Sequence, residues 1–205
     1  MSHSLTSLIE QRTSANHFDP THVMSDEEIQ HIIHLTTLSP TSFNFQNWKF
    51  IAVRSAEAKA RLSAVAFGQP KVTDAAVTFI VIGTLQPQQH MADIMKLSVD
   101  AGVIPQAQVD AWLPMAAHFY GDNAQMQRDE AIRSGALAAM TLMLVAQDKG
   151  LVSGPMIGFD PAGVTREFAL GANDIPVMLI SVGRAAPGNW AHKVRKPQSE
   201  VLQFA

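Results

Sequence analysis

The chain has 205 residues, 47% of them hydrophobic and 16% charged, with a formal net charge of −3. Those proportions describe about one globular domain and exclude a disordered chain, and the acidic balance speaks against a general nucleic-acid binder, which needs a basic face. With no cysteine, disulfides, thiol catalysis and cysteine-based zinc sites are excluded.

Met1-Ser2-His3-Ser4 lacks the basic start and apolar core of a secretory leader. Leu5–Gln11 reads as a short helix with Leu5, Leu8 and Ile9 on one face. Ser25-Asp26-Glu27-Glu28 is a capping box that starts a second helix, running to about Leu38. Pro40 stops it, because proline disfavours helical geometry at the residue before it. Lys49–Val53 is a strand, and Ser55 caps a helix through about Phe67. After the break at Gly68-Gln69-Pro70-Lys71, the apolar β-branched run Ala76–Thr84 predicts a strand buried on both faces.

Gln88–Tyr120 reads as helical, with a break at Gly102 and Pro105. Its many apolar residues, among them Met91, Met95, Leu97, Trp112, Met115 and Phe119, suit a lid, a partner-facing surface or a packed core. Gln125–Lys149 is the longest predicted helix, with an acidic first turn at Asp129-Glu130 and a stop at Gly150. Its run Ala136–Ala146 is apolar nearly all round, too short to span a bilayer, and suited to a dimer seam. Ser153–Asp160 reads as a loop, Asp160-Pro161 starts a helix to about Leu170, and Pro176–Arg184 is the last strong strand. A soluble cytoplasmic protein, bound to neither membrane nor nucleic acid, is the expectation.

The stretch Ser39–Trp48 joins helix to strand but is too aromatic for a plain surface loop. Thr41, Ser42, Asn44, Gln46 and Asn47 offer neutral hydrogen-bonding groups; Phe43, Phe45 and Trp48 offer flat apolar faces. The mixture suits either a planar, polar-edged ligand or a connection whose aromatics fill the core. Common templates are absent: there is no G-x-G-x-x-G, G-x-x-x-x-G-K, G-x-S-x-G or H-E-x-x-H. His31 and His34 make only half a metal site, so no metal is expected. Arg12, Lys193 and Arg195 are cations from opposite ends of the chain. Each suits a phosphate, and each alone also suits a solvated surface.

S-P-T-S-F-N-F-Q-N-W-K-F resembles a signature of the FMN-dependent nitroreductase family, and three further segments follow in the family's order. The resemblance of Q-R-T-S-A-N-H-F-D implies FMN contacts at Arg12, Thr13 and Ser14, with Asn16 where a basic residue is usual. Gln69 and Lys71 would meet the flavin's pyrimidine edge, Lys71 offsetting negative charge there. G-P-M-I-G-F-D resembles the loop whose backbone N–H groups face flavin N5 and O4, which implicates Pro155, Met156, Ile157 and Gly158. H-K-V-R-K-P places Lys193 and Arg195 on phosphate-binding positions, and Pro40, Thr41, Ser42 and Asn44 would reach the flavin of an opposite subunit.

What the resemblance implies is one α+β domain over residues 1–205, with a helical excursion at about 86–125. It would be a mixed, mainly antiparallel sheet with helices on both faces, in an intertwined homodimer. The implied activity passes electrons from NADH or NADPH through FMN to nitroaromatics or quinones by a ping-pong route, with no catalytic side chain required. Other acceptors, such as an enone or a halogenated aromatic, and a flavin-binding module without turnover are the alternatives.

Overall fold

The computed structural model describes residues 4–205; the reading of Met1–His3 as free of a secretory leader lies outside them. Four strands, β1 (Trp48–Val53), β2 (Val77–Thr84), β3 (Val152–Met156) and β4 (Asp174–Gly183), form a sheet of order β1-β2-β4-β3. Every pair is antiparallel. One isolated parallel bridge, Ser14 to Ser153, adds a fragment of the N-terminal segment beside β3.

Both faces of the sheet are covered, as the apolar run in β2 predicts. Alternate side chains point to opposite faces of a strand. Val77, Phe79 and Val81 join a core with α2 (Asp26–Thr36) and α7 (Ala124–Asp148). Ile80 and Ile82 join a second core with α3 (Ala56–Val65), α4 (Pro70–Asp74) and α8 (Pro161–Glu167). Within this apolar centre the hydroxyls of Thr78 and Ser181 satisfy one another at 2.9 Å.

A third core lies apart from the sheet. It gathers Phe45, Met91, Met95, Val109, Ala116 and Tyr120, joining the Ser39–Trp48 stretch to α5 (Met91–Asp100) and α6 (Gln106–Tyr120). Packing therefore accounts for Met91 and Met95, while Leu97, Met115 and Phe119 remain exposed. The break between α5 and α6 contains Gly102 at φ +70° and precedes Pro105, as the sequence predicts. No helix among the described residues is long and apolar enough to cross a membrane.

Several predicted boundaries move. The capping box at Ser25 and Glu28 forms, but α2 ends at Thr36 rather than Leu38. α3 ends before Phe67, and α8 before Ala169, where each of those residues takes a positive φ. The predicted loop over Ser153–Asp160 is in its first half the strand β3. Gly154 and Pro155 hide the strand pattern; an edge position, bonded on one side by a full ladder, tolerates proline there. α7 starts at Ala124, so Glu130 is not a solvated first-turn charge; it is buried, as is Gln127.

Candidate functional site

The two ends of the chain meet at one edge of the sheet. After α1 (Leu5–Gln11) the chain runs extended past β3, where Ala15 N–H donates to Ser153 O at 2.9 Å. It then pairs with the residues following β4: Asp19 N–H donates to Arg184 O at 3.0 Å, and Ala186 N–H to His17 O at 3.2 Å. Gly154 is required for this approach, since a Cβ there would lie 2.4 Å from Ala15 O.

Asn189 locks the arrangement. Its Oδ1 accepts from Asn16 N–H at 2.8 Å and His17 N–H at 3.0 Å. Its Nδ2 donates to His17 O at 2.8 Å and Ala186 O at 3.0 Å. Sequence reasoning misses this residue. The signal was Pro187-Gly188-Asn189, a turn signature in which Gly188 takes φ +100° against the ring of His17.

This junction builds a cleft lined by Arg12, Thr13, Ser14, Trp190, Ala191, His192, Lys193 and Arg195. Arg195 Nη1 donates to Lys193 O at 2.9 Å, and Lys193 Nζ sits 4.9 Å from the centre of the Trp190 ring. Burial, then the neighbouring Arg195 charge, lowers the pKa of Arg12. Burial, then the Lys193 charge, lowers that of Lys71. Lys71 Nζ reaches Asn16 Oδ1 at 3.5 Å. Gln69 Nε2 donates to Gly158 O at 2.6 Å, tying the turn before α4 to the loop after β3.

Seven of the sequence-predicted residues thus converge: Arg12, Thr13, Ser14, Asn16, Lys71, Lys193 and Arg195. Ile157 is exposed beside Gly158, Pro155 is half-buried, and the Met156 side chain turns into the second core. Among the described residues none of the four cations, Arg12, Lys71, Lys193 and Arg195, forms an ion pair with a carboxylate. Like charges drawn together and partly desolvated disfavour one another. An anion with several oxygens relieves that cost and meets the forked guanidinium donors.

Pro40, Thr41 and Ser42 are elsewhere. They line a groove with Tyr120, Glu130, Arg133 and Leu137, which shares no residue with the cationic cleft. Asn44 is exposed beside it. The aromatics of the stretch are packed inward. Phe43 lies 5.5 Å from Phe45 and 6.3 Å from Trp112, and Phe45 lies 5.1 Å from Tyr120. Trp48 is buried too. Phe43 and Phe45 help fill the third core, while Asn44 and Gln46 face outward.

The sequence model of the nitroreductase family matches residues 9–184. A Bacillus subtilis protein provisionally named NAD(P)H nitroreductase MhqN is 32% identical over 201 residues, covering 97% of this chain and 98% of its own. A solved structure from Exiguobacterium sibiricum, provisionally described as a nitroreductase in complex with FMN, superposes with a TM-score of 0.92 at 27% identity. That superposition covers 100% of this chain and 99% of the other. A Lactiplantibacillus plantarum protein named CLA biosynthesis enone reductase is 26% identical over 191 residues, 91% of this chain and 88% of its own. The family match runs from α1 to the end of β4, and so takes in the whole sheet, both helical layers and the Arg12 segment: the chain belongs to the nitroreductase family.

Proposed function

We propose that this protein is an FMN-dependent oxidoreductase that takes electrons from NADH or NADPH and delivers them to a small nitroaromatic or quinone. The observation that carries the reading is the cleft where Arg12, Lys193 and Arg195 gather, with Lys71 close to Lys193 and none of the four given a carboxylate partner among the described residues. That donor set fits a phosphate monoester. Arg12, Lys193 and Arg195 would hold the phosphate, with Thr13, Ser14 and Asn16 beside it.

Further along, Lys71 and Gln69 would meet the ring's polar edge. The exposed backbone at Ile157 and Gly158, after Pro155 and Met156, would approach its reactive side. FMN, when bound, would supply the redox chemistry between the nicotinamide and a second molecule that uses the same place, which predicts ping-pong kinetics. The residues themselves would orient and balance charge, Lys71 offsetting negative charge at the pyrimidine edge. No side chain is needed as nucleophile or obligatory acid.

The working unit we propose is a homodimer, since Pro40, Thr41, Ser42 and Asn44 do not meet the cationic cleft within one copy. Exposed apolar residues support it: Ile132, Leu137 and Met140 on α7, and Val194, Leu202 and Phe204 in the tail. A cytoplasmic setting, where reduced nicotinamides are plentiful, fits the reading. The relative named as an enone reductase favours a second acceptor class, a conjugated ketone, on the same scaffold. Anaerobic bleaching of the FMN-loaded protein by each nicotinamide, then recolouring by a panel of quinones, nitroaromatics and enones, tests both. Parallel initial-rate lines are expected; no bleaching by either nicotinamide sinks the reading.

A further inference from the structure

The segment after Pro40 is held in an unusual backbone. Phe43, Asn44 and Gln46 take φ values of +49°, +53° and +48°, and none of them is glycine. Left-handed geometry is unfavourable for most side chains, so at Phe43 and Gln46 it persists only where the surroundings impose it. Part of that constraint is the aromatic packing of Phe43 against Phe45, Trp112 and Tyr120. Local bonds supply more, from Asn44 N–H to Thr41 O at 3.2 Å, Phe45 N–H to Ser42 O at 2.9 Å and Gln46 N–H to Thr41 Oγ1 at 3.0 Å, and a buried carboxylate adds a long-range tie.

Glu130 is 1% exposed. It accepts from Ser134 Oγ at 2.9 Å, from Tyr120 OH at 3.3 Å and from Ser42 N–H at 3.4 Å, and it pairs with Arg133. The Tyr120 hydroxyl also lies 3.0 Å from Ser42 Oγ, to which it can donate instead. Glu130 therefore bonds the backbone of the turn, the last residue of α6 and its own helix α7 at once. A carboxylate buried this deeply is held only with several donors.

We infer that Glu130 is a positioning residue: it fixes the Pro40–Asn44 turn in its left-handed shape and couples that turn to the Tyr120 end of the helical excursion. The inference rests on the reading above, in which Pro40, Thr41, Ser42 and Asn44 contact FMN. Glu130 acts through the turn. Its carboxylate sets where the turn's hydroxyl and amide groups point, and a shift of α6 is transmitted to them through Tyr120 and Ser42.

The test is FMN titration, followed by flavin fluorescence well below the unfolding temperature, on the full chain and on Glu130→Gln, Tyr120→Phe and the double variant. Gln keeps the volume of Glu130 and removes its charge. Each single variant is expected to raise the FMN Kd about five- to tenfold, the scale of one or two weakened hydrogen bonds. The double variant should be no weaker than the weaker single, because both act through one network. A Kd for Glu130→Gln equal to that of the unmodified chain overturns the inference, as do two effects that multiply. Should Glu130→Gln fail to fold, unchanged Kd values for both Tyr120→Phe and Ser42→Ala overturn it equally. Failure of the unmodified chain to bind FMN removes the functional reading, and the inference with it; binding that Glu130→Gln leaves intact removes the inference alone.

Discussion

Arg12 and Arg195 line the same cleft, although they stand near opposite ends of the chain. After burial, the Arg195 charge is what lowers the Arg12 pKa. Two guanidinium groups close enough to disfavour each other are a binding device when an anion comes between them. Arg195→Ala should weaken FMN retention by roughly 1.5–3 kcal/mol, the range for a hydrogen bond to a charged group. Fluorescence titration measures it; unchanged affinity would mean that the phosphate lies elsewhere.

Lys71 sets stability against binding. Burial and the Lys193 charge lower its pKa from 10.5 in the folded protein. Between the lowered value and 10.5 the unfolded chain holds more protons, so the FMN-free protein gains stability as pH rises through that window. FMN affinity should fall across the same window as Lys71 loses its proton. Lys71→Met should stabilise the FMN-free protein by on the order of 0.5–1 kcal/mol and flatten its pH slope, while weakening FMN retention. Thermal melts with and without FMN, from neutral pH upward, separate the two effects. A destabilised FMN-free variant would contradict the proposed penalty.

Asn189 carries four hydrogen bonds, three of which join the tail to the N-terminal segment. Asn189→Ala leaves Asn16 and His17 N–H without their acceptor. The cost should be about 1–3 kcal/mol. Because Lys193 and Arg195 follow in the same tail, faster proteolysis beyond Ala186 and weaker FMN binding are expected together. A variant that loses one property and keeps the other would separate the tail's docking from the site.

Gly154→Ala probes the same junction from the strand side. A Cβ 2.4 Å from Ala15 O cannot be accommodated unless β3 and the N-terminal segment move apart. Overpacking of this kind costs roughly 1–3 kcal/mol, so the melting temperature should drop by several degrees. A melt unchanged from that of the parent chain would show that the junction is loose.

Much of the fold was legible along the chain. The unbroken run in β2 announced a strand buried on both faces, and Ser25 with Glu28 announced the start of α2. Both depend on interactions between near neighbours or on a simple periodicity. β3 was hidden, because its pairing with β4 is non-local and Gly154-Pro155 looks like a turn. Glu130 was misread for a related reason. In sequence it is one of several charges near a helix start, and only the arrival of Tyr120 and Ser42 buries it.

By itself the sequence determined which residue types were present for binding: cations at both ends, a polar turn after Pro40, a glycine-bearing loop before Asp160. Tertiary structure alone decided their grouping. Arg12, Lys193 and Arg195 share a cleft, with Lys71 close to Lys193, because the N-terminal segment bridges β3 while the tail folds back over it through Asn189. Pro40 to Ser42 fall in another groove, because a buried carboxylate on α7 and the ring of Tyr120 hold them there. Charge and hydrogen-bonding capacity belong to each residue; which charges must share one desolvated space is set by the path of the backbone between them.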